Sequence, residues 1–218
     1  MYLCIPSGQR PEKLEATLKA WKRYSRIHVV GYAWDELSAE VFKRYGATVF
    51  EGERKSFAIL QNYLARQLPL DWHIMICGAD DLRPGIGITR IRKLFKHANG
   101  NVLWVFDGIN ASINTHPIIT VGWWLRNNRT IFDEQFQHNY CDSDLMTRTI
   151  QSNRLIKVEG TGMIHDHPLS VPLKDRDVVY QLGYASHRTD KKLFRMKHSC
   201  LGKTIIQSNL SRIPIISV

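Results

Sequence analysis

The most constraining feature of this chain is a regular alternation of short apolar runs with helical periodicity through its first half. Between the apolar runs, hydrophobic residues recur every three or four positions, as in Leu14, Leu18 and Trp21 after Pro11. Ser56 is placed to cap the helix that follows the third run. The runs that read as strands are YLCI, IHVVGY, ATVF, WHIMIC and NVLWVF, at 2–5, 27–32, 47–50, 72–77 and 101–106. Strands separated by helices pair in parallel, so the pattern predicts a three-layer α/β domain with a mostly parallel central sheet.

The alternation loosens after residue 107. Short strands are predicted at 155–159 and 162–165, and a helix at about 143–152. No internal repeat, low-complexity stretch or linker divides the chain. We therefore expect one α/β domain over 1–168 and a basic C-terminal extension, 169–218, packed on the same domain.

The net charge of +10 is unevenly distributed. Residues 1–100 carry 16 basic and 10 acidic groups, residues 101–168 carry 5 and 7, and residues 169–218 carry 9 and 3. Such basic flanks favour a polyanionic partner such as nucleic acid or an anionic membrane surface. The extension mixes cations with aromatic residues, which suits nucleic acid but also an ordinary solvated helix. Its candidate nucleic-acid contacts are Arg188, Lys191, Lys192 and Arg195.

Several classes of protein are disfavoured by what the sequence lacks. No apolar run approaches the ~18 residues of a membrane span, and the N-terminus is not a secretory signal, so we expect a soluble, cytoplasmic protein. The four cysteines form no CxxC pair and are expected to be reduced. Neither GxGxxG nor GxxxxGK[ST] is present, which argues against dinucleotide-binding and P-loop enzymes. Nothing indicates an obligate protein partner.

Polar clusters follow the predicted strands at Asp35, at Asp80 with Asp81, and at Asp107. Ligands of open α/β sheets bind outside the carboxyl ends of the strands. Two adjacent carboxylates at such an end need a cation, and a divalent metal there could also hold a diphosphate. The alternative is an aspartate that caps the following turn.

Two later motifs also carry candidate chemistry. In YCDSDLMTR, Asp142 either caps the following helix or acts as a general base, and Asp144 lies in the first helical turn. In HDHP, His165 and His167 lie on the same side of an extended chain and could complete a metal site. A lone pair of histidines at this spacing also occurs without a metal.

In order and spacing, these motifs resemble the GT-A glycosyltransferases, chiefly their inverting family two and its small bacteriophage-type members. The resemblance covers roughly residues 1–170, including SGQRPEKL, CGADDLRPG, NYCDSDLMTR and IHDHP. It implies the Rossmann-like GT-A fold, a nucleotide-diphosphate sugar as donor, and Mn²⁺ or Mg²⁺ bridging the donor phosphates. The domain at 1–168 would then be the nucleotide-sugar-binding and catalytic domain.

The resemblance also assigns residues. Asp142 corresponds to the catalytic base, Asp35 to the carboxylate that binds the nucleotide base, and Asp80 to the last carboxylate of the Asp-x-Asp metal motif. The expected donor-binding residues are Ser7, Asp35, Asn62, Asp80 and Asp81, and the expected metal ligands are Asp80, His165 and His167. The sequence departs from the family where Gly78 occupies the first position of the metal motif, Gln61 replaces an arginine, and Cys141 replaces a glutamate.

Taken together, the sequence predicts a metal-assisted, inverting transfer of a hexosyl or pentosyl group to an acceptor hydroxyl. Basic charge and the phage-type resemblance suggest double-stranded DNA carrying hydroxymethylated bases as acceptor. A saccharide or lipid-linked acceptor is the alternative, with Trp123 and Trp124 as a stacking platform or else as core residues. A metal-dependent nucleotidyltransferase or nuclease, and a non-catalytic nucleic-acid-binding module, also remain open.

Overall fold

The computed structural model describes residues 1–108, 113–168, 172–199 and 213–217. Within these ranges the chain forms nine strands and eight α-helices. The strands are β1 (Tyr2–Ser7), β2 (His28–Ala33), β3 (Thr48–Glu51), β4 (Ile74–Cys77), β5 (Leu82–Pro84), β6 (Val102–Phe106), β7 (Ile118–Thr120), β8 (Leu155–His165) and β9 (Ile215–Ser217). The helices are α1 (Pro11–Trp21), α2 (Glu36–Arg44), α3 (Phe57–Gln67), α4 (Ile91–Ala98), α5 (Val121–Arg126), α6 (Cys141–Gln151), α7 (Val178–Ala185) and α8 (His187–Lys197).

Local sequence signals account for most of these boundaries. Pro11 begins α1, where a missing backbone N–H costs nothing. The Ser56 side chain accepts a hydrogen bond from the Ile59 backbone N–H and caps α3, as predicted. The two short strands predicted near residue 160 are instead the single strand β8. Gly160 adopts a positive φ of 76°, and the pairing with β6 shifts register beyond Val105, so the strand continues through an irregularity.

The sheet has the order β3-β2-β1-β4-β7-β6-β8-β5, with β9 paired to β8. The five strands predicted from the alternation, β1 to β4 and β6, all run in the same direction, because β7 is antiparallel to both of its neighbours, β4 and β6. Strand β5 also runs antiparallel to its partner β8. The predicted α/β architecture with a mostly parallel sheet is confirmed.

A hydrophobic layer covers each face of the sheet, as alternate residues of the strands require. Leu3, Ile5 and Ile76 belong to one layer, and Cys4 and Cys77 belong to the other. Both cysteines and Cys141 are buried free thiols, and Cys200 lies outside the described residues. This is the three-layer arrangement that positions the carboxyl ends of the strands at one edge.

The tryptophan pair predicted as an acceptor platform lies in this core. Trp123 and Trp124 are only 5% and 4% exposed, and Trp124 packs edge-on against Trp72 with ring centroids 5.5 Å apart. The prediction of a sugar-stacking surface at these two residues is therefore wrong, and their core alternative holds. No helix in the described ranges combines the length and hydropathy needed to cross a bilayer.

Candidate active site

A cavity of about 280 Å³ opens at the carboxyl ends of β1 and β4 and holds most of the titratable groups singled out above. Its walls come from widely separated parts of the chain, including the turn after β4, the start of α6, the end of β8 and helix α7. Asp80, Asp142 and His165 all line it. Residues 23 to 85 positions apart in sequence thus line one pocket, as the expected chemistry requires.

Asp80 is held by an arginine and a serine. Its carboxylate is fully buried, accepts a hydrogen bond of 2.8 Å from Ser7 Oγ, and is ion-paired to the Arg10 guanidinium. Burial raises the pKa of Asp80 to about 6, with Asp81 acting in the same direction and Arg10 opposing it. Ser7 therefore orients Asp80 and does not line the cavity itself.

Asp81 is the carboxylate that the fold brings to His165. The two side chains approach to 3.3 Å between Asp81 Oδ1 and His165 Nε2. Tyr180 of α7 donates its hydroxyl to Asp81 Oδ2. Burial alone would raise the pKa of Asp81, but the hydrogen bond and charge of His165 outweigh it and lower the pKa. Asp81, and not Asp80, is thus the carboxylate in contact with His165.

His165 connects Asp81 to a second buried group. Its Nδ1 lies 3.7 Å from Asp107 Oδ2 and 3.2 Å from His116 Nε2. Burial lowers the pKa of His165, but the hydrogen bonds that its ring donates to Asp107 and Asp81 outweigh this effect and raise the pKa to about 9. Burial and the neighbouring His165 lower the pKa of His116 to about 4, so His116 is a neutral imidazole.

The donor set at this point suits a divalent metal. One ligand atom each from Asp107, His116 and His165 lie within 4.8 Å of one another. His167 stands next to His165 with ring centroids 5.3 Å apart, and its buried Nδ1 has no hydrogen-bond partner among the described residues. Mixed carboxylate and imidazole ligands suit a transition-metal ion better than Mg²⁺, which prefers oxygen ligands alone.

Asp142 lies in the first turn of α6 and faces the same cavity. The N-cap of α6 is Tyr140, at φ 63°, so Asp142 does not cap the helix. One of its oxygens, Oδ1, accepts hydrogen bonds from the backbone N–H and hydroxyl of Ser143. Burial raises the pKa of Asp142, which makes it a stronger base than an exposed aspartate. Asp144 instead pairs with Arg148 and His198, away from the cavity lining.

Asn62 does not reach the cavity, so its assignment to donor binding is wrong. Its side chain is fully buried. Its Oδ1 accepts the backbone N–H groups of Ile131 and Phe132, and its Nδ2 donates to the Phe132 carbonyl and to Glu134. All of its polar capacity is used to fix the loop after α5 against α3.

Asp35 caps α2 and also lies outside the cavity lining. Its oxygens accept from the backbone N–H groups of Ser38 and Gln9, at 2.9 and 2.7 Å. The side chain remains half-exposed. Its role in binding a nucleotide base stays a prediction.

Gly78 is required by packing. A Cβ at this position would lie 2.7 Å from Leu3 Cδ1 and 3.1 Å from the Cys4 carbonyl oxygen. Gln61 Nε2 donates to the Gly78 carbonyl at 2.8 Å, which fixes the same turn. A side chain at the first position of the metal motif would therefore require Leu3 to move and the backbone of β1 to shift by a few tenths of an ångström.

Several cavity residues were missed by the sequence reasoning. Arg10, His116, Tyr180 and Trp34 line the cavity, and the Arg10 guanidinium also lies 4.8 Å from the Tyr180 ring centroid. Arg10 stands in the SGQRPEKL segment, so an arginine just past the end of the first strand was the available signal. His116 and Tyr180 carry no comparable local signal, because neither belongs to a motif.

Helix α8 borders the cavity without lining it. Its buried Asp190 accepts the backbone N–H groups of Gln137, His138 and Asn139, and the last two of these residues line the cavity. Of the predicted nucleic-acid contacts, Arg188, Lys192 and Arg195 are exposed on α8 and Lys191 is half-buried. The predicted cations thus project from a helix whose inner side fixes the rim of the site.

No family model and no curated protein matches the sequence, whereas solved structures match the fold. Glucosyl-3-phosphoglycerate synthase from Mycobacterium tuberculosis, in complex with Mn²⁺, UDP-glucose and phosphoglyceric acid, aligns with a TM-score of 0.58 at 9% identity over 85% of this chain and 77% of that one. The catalytic domain of Drosophila β1,4-galactosyltransferase 7, in complex with xylobiose, gives 0.54 at 13%, covering 82% and 74%.

A cytidylyltransferase from Leptospira borgpetersenii gives a TM-score of 0.51 at 13% identity, covering 71% of this chain and 74% of that one. The chain therefore has the fold that GT-A glycosyltransferases share with some nucleotidyltransferases.

Proposed function

We propose that this protein transfers a sugar from a nucleotide-diphosphate donor to an acceptor hydroxyl, with inversion at the anomeric carbon and with the help of a metal. The observation that carries the proposal is the joint location of Asp81, His165 and Asp142 in one cavity at the carboxyl edge of the sheet. The similarity of fold to sugar transferases supports this reading over a purely structural role for these side chains.

Asp81, Asp107, His116 and His165 would hold a divalent cation, for which we propose Mn²⁺. Such a cation offsets the charge that develops on the leaving diphosphate. Arg10, Arg54 and Lys55 also line the cavity and supply further positive charge for the donor phosphates. Asp80 keeps Arg10 in place through its ion pair.

Asp142 would act as the general base. Its carboxylate takes the proton of the acceptor hydroxyl while the acceptor oxygen forms a bond to the anomeric carbon. The bond from the anomeric carbon to the phosphate oxygen breaks, and the nucleoside diphosphate leaves with that electron pair. A positioned base of this kind contributes about 10²–10⁴-fold to the rate.

For the acceptor we propose a hydroxymethylated base in double-stranded DNA, as in a phage-type DNA-modifying enzyme acting in the cytoplasm. The exposed cations of α8, at the cavity rim, suit a phosphate backbone held beside the site. The hydroxyl of such a base lies in the major groove. The transferred sugar in this proposal is a hexose or a pentose.

The test is a screen of nucleotide-diphosphate sugars with Mn²⁺, with mass spectrometry as the readout. The acceptors are hydroxymethylated duplex DNA, unmodified duplex DNA and a set of added saccharides. Addition of one glycosyl mass to the modified duplex alone supports the proposal. Transfer only to added saccharides would reject the DNA acceptor and retain the transferase.

The second candidate is nucleotidyl transfer, which the cytidylyltransferase-like fold favours. It predicts release of pyrophosphate from a nucleoside triphosphate and no turnover of nucleotide sugars. Pyrophosphate release from an added nucleoside triphosphate, with no turnover of nucleotide sugars, would therefore replace the first proposal.

A further inference from the structure

A second cavity, of about 670 Å³, lies away from the site just described. It is formed by residues 23–27, which connect α1 to β2, and by residues 89–93 at the start of α4. Residues 23–27 precede β2, so the cavity is at the amino end of that strand, whereas the active site is at the carboxyl ends of β1 and β4. We name it the amino-edge groove.

The charge of the groove has one sign. Its lining contains Arg23, Arg26, Arg90, Arg92 and Lys93 and no acidic residue, and all five side chains are exposed. The sequence explains this, because residues 16–34 and residues 82–106 contain no aspartate or glutamate. The fold places these two acid-free segments side by side.

Several cations elsewhere on the surface are paired with an acidic side chain. Lys43, Arg44, Arg66 and Lys157 pair with Glu51, Glu15, Glu134 and Glu159. In the groove, Arg23, Arg26, Arg92 and Lys93 make no ion pair with an acidic group of the described residues. Like charges held together without counter-charges repel one another, so an anionic ligand gains affinity by relieving that repulsion.

We propose that the amino-edge groove binds the phosphodiester backbone of a nucleic acid. The groove is concave and offers several cations within one cavity, which matches a strand of closely spaced phosphates. A flat bilayer surface would be met better by a convex patch with apolar anchors. Because the groove and the active site lie at opposite ends of the sheet strands, this binding does not depend on the identity of the acceptor.

The test is binding of an unmodified, fluorescein-labelled duplex of about 24 base pairs, measured by anisotropy from about 50 to 200 mM salt without donor or metal. The variant carries Arg23→Gln, Arg26→Gln, Arg92→Gln and Lys93→Gln. The control carries Lys43→Gln, Arg44→Gln, Arg66→Gln and Lys157→Gln, which removes the same charge from paired positions. We expect the groove variant to flatten the slope of log K against log salt by about 3 to 4, since each phosphate contact contributes about 0.9.

A second comparison separates the groove from α8. A variant with Arg188→Gln, Lys192→Gln and Arg195→Gln should retain the groove's contribution to the slope. If the fourfold groove variant does not fold, Arg23→Gln and Lys93→Gln alone should each flatten the slope by about 1.

Four results would overturn the proposal. The first is that the wild type does not bind the duplex at low salt, and the second is that the groove and control variants lose the same amount of DNA affinity. The third is that only the α8 variant changes the salt slope. The fourth is that the groove variant loses binding to phosphatidylserine vesicles while its DNA binding is unaltered. The last would assign the groove to membranes. Absence of binding at low salt would also count against a DNA acceptor, but none of the four outcomes bears on sugar transfer itself, which the acceptor assay tests separately.

Discussion

The Asp190 carboxylate joins helix α8 to the rim of the active site and offers a sharp test of the structure. It is 2% exposed and accepts four hydrogen bonds. Oδ1 accepts the Gln137 backbone N–H at 3.0 Å. Oδ2 accepts the backbone N–H groups of His138 and Asn139 and the Ser186 hydroxyl, at 3.0, 2.8 and 2.8 Å. The perturbation is Asp190→Asn, which keeps the shape and removes one acceptor.

The magnitude follows from these contacts. An asparagine can place its oxygen on the three donors at the Oδ2 position, but its NH₂ group then faces the backbone N–H of Gln137. One charge-assisted hydrogen bond, worth about 1.5–3 kcal/mol, is lost, and the remaining three are weakened. We expect a loss of about 2–3 kcal/mol in the free energy of unfolding. For a chain of this length this corresponds to a fall of about 4–12 °C in Tm.

The assay is thermal unfolding followed by circular dichroism, with native-state hydrogen exchange of the amides of residues 137–139. The matched control is Asp71→Asn, the same chemical change at an exposed loop position, which should alter stability by less than about 0.5 kcal/mol. We expect the three amides to exchange faster in the Asp190 variant only. A Tm equal to that of the control, with protection of these amides unchanged, would refute the assignment of Asp190 as the anchor of the rim.

Four further predictions concern the site and the strand turn beside it. Asp142→Asn should lower kcat about 10²–10⁴-fold with little change in the Kd for the nucleoside diphosphate, and near-normal turnover would exclude it as the base. Burial raises the pKa of Asp142 above the ordinary value of 3.8. As the pH is lowered, kcat should therefore begin to fall at a higher pH than for an exposed aspartate, and a pH–kcat profile measures this. Extensive chelation should abolish transfer activity, and added Mn²⁺ should restore it. In the His165→Gln variant, Mn²⁺ should restore less of the activity. Activity that survives chelation contradicts the metal assignment. Gly78→Ala should destabilise the fold by about 1–3 kcal/mol without strengthening metal binding, because the new Cβ would meet Leu3 at 2.7 Å; an unchanged Tm would contradict this.

The sequence predicted the features that depend on neighbours along the chain. Hydrophobic periodicity located the strands and helices of the first half, and Ser56 predicted the start of α3. The direction of the strands then placed Asp80, Asp81 and Asp107 at one edge, since the carboxyl ends of parallel strands meet there. The sequence pattern was sufficient to place these elements, because side chains on one face recur every two residues in a strand and every 3.6 residues in a helix.

The details of the site depended on contacts that no local rule contains. Asp80 and Asp81 are adjacent in sequence, yet one pairs with Arg10 and the other with His165, because neighbouring side chains at the turn point in different directions. Asn62 looked like a ligand-binding amide, but the loop after α5 uses all of its hydrogen bonds.

The sequence by itself determined the fold class, the edge of the sheet where polar groups gather and the excess of positive charge. Only the tertiary structure decided that His116 and Tyr180 join the site, that Trp123 and Trp124 lie in the core, and that two acid-free segments form one groove. The physical reason is that sequence periodicity indicates which side of a helix or strand faces the interior. The burial, ion pairing and pKa of a side chain depend instead on which residues from distant parts of the sequence contact it.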